Sequence, residues 1–103
     1  MRIDLKDEHR IALMTNMCDN LSVFRAKLNI SQDDLADKLG ITRQTISAFE
    51  SGQRGLTWSI FLALILIFFR NQKTKNMLVS LEIYTQELDA FLTIPSNKLD
   101  DKK

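Results

Sequence analysis

Arg43, Gln44, Ser47 and Ala48 lie in one short polar segment, RQTISAFES, whose only apolar members are Ile46, Ala48 and Phe49. If that segment is helical, Ile46 and Phe49 turn to one side. Arg43, Gln44 and Ser47 then stay exposed, with Ala48 beside them. These side chains suit the edges of nucleobases. Arginine can form two hydrogen bonds to guanine O6 and N7, glutamine can do the same to adenine N6 and N7, and alanine can touch a thymine methyl.

Other chemistries find little support. The one histidine, His9, has no metal or triad set around it, and the one cysteine, Cys18, falls on an apolar stripe. No glycine-rich phosphate loop occurs, and the paired acids Asp33 and Asp34 suit a helix N-terminus stabilised by its dipole. The chain is therefore expected to be no enzyme, with no catalytic residues, no metal ligands and no cofactor. A single cysteine excludes an internal disulfide and suits a reducing cytoplasm, the expected location. The first ten residues, MRIDLKDEHR, carry acids where a secretion signal would need an apolar core, so no targeting peptide is expected. At 103 residues there is room for one domain. Its 14 basic and 13 acidic residues nearly balance, so any binding of nucleic acid must come from local placement of charge.

The elements that position the polar segment are helical. Three glycines, one proline and apolar residues at three- and four-residue steps predict an all-α fold. From Asp7 to Leu28 a stripe runs through Ile11, Met14, Cys18, Leu21, Phe24 and Leu28, while Asp19–Asn20 either continue that helix or cap a new one. Ser31 caps SQDDLADKLG, with Asp34 completing a capping box, and Gly40 closes it. Thr42 caps the helix at 43–51, GQRG is a loop, and Thr57 caps a strongly apolar helix. The unbroken apolar run of that helix, Ile60 to Phe69, is ten residues, short of the roughly 20 a membrane span needs. A last helix from Lys75 to Thr93 carries Met77, Leu81, Tyr84, Leu88 and Phe91 in a heptad-like seam, and SNKLDDKK reads as a solvated tail.

Two short helices joined by a tight turn form a helix-turn-helix unit, whose second helix enters the DNA major groove. Leu35, Ile41, Ile46 and Phe49 are the contacts that fix the crossing, Ala36 gives close approach, and Gly40 tolerates a positive φ. The stretch from Leu21 to Leu56 resembles the Xre/lambda-repressor-like helix-turn-helix family of transcriptional regulators. Gln32, Leu35, Ala36, Gly40, Ile46, Glu50 and Gly52 all fall at that family's spacing.

The resemblance implies a lambda-repressor-like domain of about five helices. Together with the helices read from residue spacing, it divides the chain into a helical N-terminal extension at 1–20, able to continue into the first helix, a DNA-binding core at 21–71, a C-terminal helix expected to dimerise at 72–94 and a flexible tail at 95–103. It also implies base reading by Arg43, Gln44, Ser47 and Ala48, and sugar-phosphate contacts from Gln32 and Thr42. Thr45, Gln53 and Arg54 are further backbone candidates. Arg25 and Glu50 occupy the positions of a structural ion pair, and Leu56 stands where the family usually has proline.

Charge and apolar surface complicate this picture. Between Ser31 and Thr57, Lys38, Arg43 and Arg54 stand against Asp33, Asp34, Asp37 and Glu50, a net of minus one. Lys27, Arg70, Lys73 and Lys75 are the bases that the fold would have to bring to the same side. In the apolar helix, Trp58, Phe61, Ile65 and Phe68 are expected to meet the helix-turn-helix, yet Ile60, Leu62, Ala63, Leu66 and Ile67 are apolar too and need a cover. Either flanking helices or a second subunit supply it. The favoured reading is a homodimer, with Ile60, Ala63, Leu66, Ile67, Met77, Leu81, Tyr84 and Leu88 as the dimer or partner surface. The expected function is a sequence-specific regulator that binds double-stranded DNA, a repressor at an inverted-repeat operator, with no membrane partner. The alternative is an antitoxin-like protein that binds a toxin and regulates itself through the same helix-turn-helix.

Overall fold

Hydroxyl caps set most of the helix starts. The side chains of Ser31, Thr42, Thr57 and Thr85 each accept the backbone N–H three residues on, at 3.0–3.2 Å. A computed structural model describes residues 5–95, and these form six helices with no strand among the described residues. They are α1 Asp7–Leu28, α2 Gln32–Leu39, α3 Arg43–Ser51, α4 Trp58–Phe69, α5 Gln72–Ser80 and α6 Gln86–Leu92. The all-α class is the one expected. Residues 96–103, most of the expected tail, and residues 1–4 of the extension lie outside the described residues.

The extension and the first core helix are one element. Asn20 caps nothing, because its amide turns back to the Asn16 carbonyl and side chain at 2.8 and 3.0 Å. The buried stripe of α1 is Leu13, Met17, Leu21 and Phe24. Of the expected stripe, Leu21 and Phe24 are buried, Met14, Cys18 and Leu28 are half-buried, and Ile11 is 59 % exposed.

The apolar helix α4 lies at the centre, packed by α1, α2 and α5. Phe61, Leu64, Ile65 and Phe68 are buried, and Phe68 stacks on Phe24 of α1 at 4.6 Å between ring centroids. Trp58 is half-buried between Phe61 and Phe91, and the Arg10 guanidinium lies 5.0 Å from both the Trp58 and Phe91 rings. Leu56 is buried in the core. Ile60, Leu62, Ala63 and Ile67 are half-buried, so this chain covers most of the strip itself. Leu66, 64 % exposed, is the exception.

The single C-terminal helix expected over 75–93 is corrected to two. The Ile83 and Tyr84 N–H groups both donate to the Leu78 carbonyl at 2.9 Å, Glu82 takes a left-handed φ of 57°, and Thr85 caps a new helix. The heptad-like seam is broken with it. Leu78, Ile83 and Leu88 are the fully buried apolar residues here. Leu88 faces the chain's own core and is no partner surface. Thr74 is also fully buried, its hydroxyl donating to the Phe68 carbonyl at 2.6 Å and closing the end of α4. The Asn16 amide donates to the Leu81 carbonyl at 2.7 Å, tying α1 to the turn after α5.

Candidate nucleic-acid interface

The α2–α3 unit is built from local signals. Ser31 and Asp34 cap each other's backbone N–H groups in a complete capping box. Hydrogen bonding to Ser31 holds the Asp34 carboxyl below its ordinary range. Gly40 ends α2 at φ 69°, and the next N–H, of Ile41, returns to the Ala36 carbonyl at 3.0 Å. A Cβ on Gly40 would meet nothing within 4 Å, so the backbone conformation, not space, calls for glycine. Leu35, Ala36, Ile46 and Phe49 are buried and Ile41 half-buried, which fixes α3 against α2.

With Ile46 and Phe49 inward, Arg43, Gln44 and Ser47 are exposed and Ala48 is half-buried beside them. These four share the outer side of α3. Arg43 is held only weakly: its Nε lies 3.7 Å from the Asp33 carboxylate, with the side chains 54 % and 78 % exposed. Such a pair contributes little and leaves the guanidinium free to turn toward another acceptor.

What holds α3 in place is a cluster on its inner side. Arg25 of α1 donates to both Glu50 oxygens, at 2.6 and 3.0 Å, and to the Ile30 carbonyl at 3.1 Å. Gln32, the first residue of α2, donates its amide to Glu50 at 3.1 Å. Three helices therefore meet at one carboxylate. Burial pushes the Glu50 carboxyl up, but the hydrogen bonds from Arg25 and Gln32 and the Arg25 charge outweigh it and hold the group below its ordinary value. Arg25 is correspondingly raised, first by its hydrogen bond to Glu50.

The backbone candidates divide. Thr42 and Thr45 lie at the start of α3 with their hydroxyls 2.9 Å apart, and α3 has no acid in its first turn, so its N–H groups face no competing carboxylate of that turn. Gln53 and Arg54 are exposed in the loop after α3, with the Arg54 guanidinium 5.8 Å from the Phe49 ring. Gln32 differs, because its amide nitrogen is engaged with Glu50. The extra bases are dispersed. Lys27 and Lys73 line a groove between α1 and α5 to which neither α2 nor α3 contributes, and Lys75 lies 4.6 Å from the Phe69 ring.

The expected partner surface is likewise split. Leu66 and Tyr84 line one groove, Met77 and Leu81 another, and Leu88 neither. Cys18 lines a third cavity, of about 420 Å³, between α1 and the 52–56 loop, where burial pushes its thiol up and away from the reactive thiolate. Among the described residues no group of His, Cys, Asp and Glu could hold a metal, and no helix is long and apolar enough to cross a membrane.

Sequence reasoning missed the bond from Gln32 to Glu50 and the closure of α4 by Thr74. Neither leaves a local signal, since each depends on where a distant or non-helical backbone comes to lie.

Residues 22–66 match the helix-turn-helix family. Over 37 residues the chain is 51 % identical to a protein of Methanocaldococcus jannaschii named an uncharacterized HTH-type transcriptional regulator. That stretch is 36 % of this chain and 56 % of the relative, so the chain spans just over half the relative's length. No solved structure is significantly similar to the chain.

Proposed function

From the premise that residues 22–66 form a helix-turn-helix domain of the Xre/lambda-repressor-like family, we propose that this chain is a sequence-specific DNA-binding transcriptional regulator. In this reading α3 lies in the major groove, Arg43 and Gln44 hydrogen-bond base edges, and Ser47 and Ala48 complete the contact. Thr42, Thr45, Gln53 and Arg54 hold the sugar-phosphate backbone and set the register. The observation that carries the reading is the contrast across α3. Its outer side presents Arg43, Gln44 and Ser47 without strong internal partners, while its inner side is locked to α1 and α2 through Glu50. A rigid helix offering free, base-matching donors is what reading a groove requires.

The finer reading is a cytoplasmic repressor acting as a homodimer at an inverted repeat, whose half-sites a twofold would set about 34 Å apart. The test is selection of duplexes from a random pool at fixed physiological salt, followed by Arg43→Ala and Gln44→Ala. Each substitution is expected to lower discrimination at one base pair by about 1–3 kcal/mol while leaving binding to random DNA nearly unchanged. Equal loss on selected and random duplexes, or no enriched sequence from the folded protein, refutes base reading by α3.

A further inference from the structure

Leu66 is the large side chain that the packing of α4 leaves out, and it borders a groove. Leu62, Ile65, Leu66 and Phe69 of α4, with Tyr84 and Leu92, line a depression of about 330 Å³ with a mainly apolar wall. Leu92 is 42 % and Ile94 63 % exposed at the end that leaves α6. A projecting leucine beside an apolar depression is a knob and a hole on one surface. A twofold axis makes such a surface complementary to itself.

The charges at its rim have the same property. Phe69 and Tyr84, both in the groove wall, pack with their ring centroids 4.9 Å apart. The Lys75 ammonium sits 4.6 Å from the Phe69 ring, and the Tyr84 hydroxyl donates to Asp89 at 2.6 Å, so the aromatic pair has a cation at one end and an anion at the other. Burial and the neighbouring Asp89 push the Tyr84 phenol up to about 12. Among the described residues neither Lys75 nor Asp89 takes part in an ion pair. A second copy in twofold relation would bring each cation opposite an anion. A partner of one charge sign would meet repulsion at one end.

We propose that this groove docks a second copy of the chain, Leu66 of each entering the groove of the other and Lys75 facing the partner's Asp89. The proposal rests on the dimeric part of the functional reading and relocates the interface. It is the α4–α6 groove, not the Met77–Leu81 side or Leu88, that joins the two copies.

The experiment is sedimentation equilibrium on the full chain, with helix content measured in parallel. The wild type is expected to be a dimer. Leu66→Glu, at an exposed position, is expected to keep the helix content and weaken dimerisation about a hundredfold or more, since two leucines lose their burial. Lys75→Glu and Asp89→Lys are each expected to weaken self-association roughly tenfold, and mixing the two variants to restore a dimer, because the mixture pairs opposite charges across the axis. A monomeric wild type, whether its groove is left empty, covered by residues 96–103 or reserved for another protein, overturns the proposal. So does a Leu66→Glu variant that still dimerises, or a mixture of charge variants that associates no better than either alone. The two readings fail separately. A wild type that dimerises through Leu66 but enriches no duplex supports the interface and refutes DNA reading, whereas enrichment with a Leu66→Glu dimer refutes only the interface.

Discussion

Replacing Glu50 by alanine should destabilise the protein by about 2–3 kcal/mol, a value that follows from where the carboxylate sits. An exposed ion pair contributes roughly 0.2–1 kcal/mol, whereas breaking a fully buried one costs about 3–5 kcal/mol because the survivor is left charged and unpaired. Here the side chains of Arg25 and Glu50 are 19 % and 11 % exposed, closer to the second case. Without Glu50, Arg25 keeps only the Ile30 carbonyl, and the Gln32 amide loses its acceptor. For a domain of this size the loss corresponds to a melting temperature lower by roughly 10–20 °C. Urea denaturation of the wild type, Glu50→Ala, Arg25→Met and the double variant Arg25→Met/Glu50→Leu is the assay. The double variant should recover much of the loss, since two apolar side chains leave no buried charge.

Acid adds a second readout on the same residue. The folded pKa of Glu50 lies below its unfolded value. Its contribution is therefore fully present above the ordinary glutamate value of about 4.3 and is lost as pH falls through the folded value. Wild-type stability should consequently fall more steeply than that of Glu50→Gln between about pH 5 and 3. A Glu50→Ala cost below about 0.5 kcal/mol, or single-variant losses that simply add in the double variant, would refute the idea that this cluster locks α3.

Two other positions test the packing around α4 and α5. Thr74→Val keeps the shape but removes the donor to the Phe68 carbonyl, and should cost about 1–3 kcal/mol in urea denaturation; an unchanged midpoint would mean that the carbonyl needs no donor. Glu82→Gly should raise stability by roughly 0.5–1 kcal/mol, because glycine takes the left-handed φ of 57° without the penalty a side chain incurs, and a lower melting temperature would refute the strain.

The parts of the fold legible in the sequence are those written in adjacent residues. Ser31 with Asp34, Thr42, Thr57 and Gly40 mark four helix ends within a turn of where they act. The α2–α3 unit and its outward residues follow from them. The C-terminal region departs from its sequence expectation because the steps Met77, Leu81, Tyr84, Leu88 and Phe91 keep helical spacing through a turn. Periodicity reports where apolar residues recur, not whether the backbone between them stays helical. Thr85 followed by Gln86 and Glu87 was the available sign of a new helix start, and Thr85 does cap α6. In α1 two apolar stripes interleave, and only the position of α4 and α5 decides that Leu13 and Met17 are buried while Ile11 remains out. The ion pair at Glu50 was accessible through family resemblance alone. Its third member, Gln32, stayed hidden because glutamine at a helix start serves equally well on a phosphate.

Charge links the two proposals. Within the α2–α3 unit and its loop, three bases stand against four acids, but the acids are not equivalent. Glu50 is neutralised by Arg25, whereas Asp34, capped only by neutral donors of Ser31, keeps its charge. Asp33, Asp34 and Asp37 then remain against Lys38, Arg43 and Arg54, a local balance with no surplus of cations. One such unit neutralises few phosphates, and sequence-independent affinity scales with that number. A single copy would therefore bind DNA weakly whatever the quality of its base contacts. Joining two copies through the proposed Leu66 groove would double the phosphate contacts and make binding of the second half-site intramolecular, which raises affinity beyond that of either copy alone. In a chain with nearly balanced charge, an apolar face that held two recognition helices in register would thus do part of the work that a basic surface otherwise does.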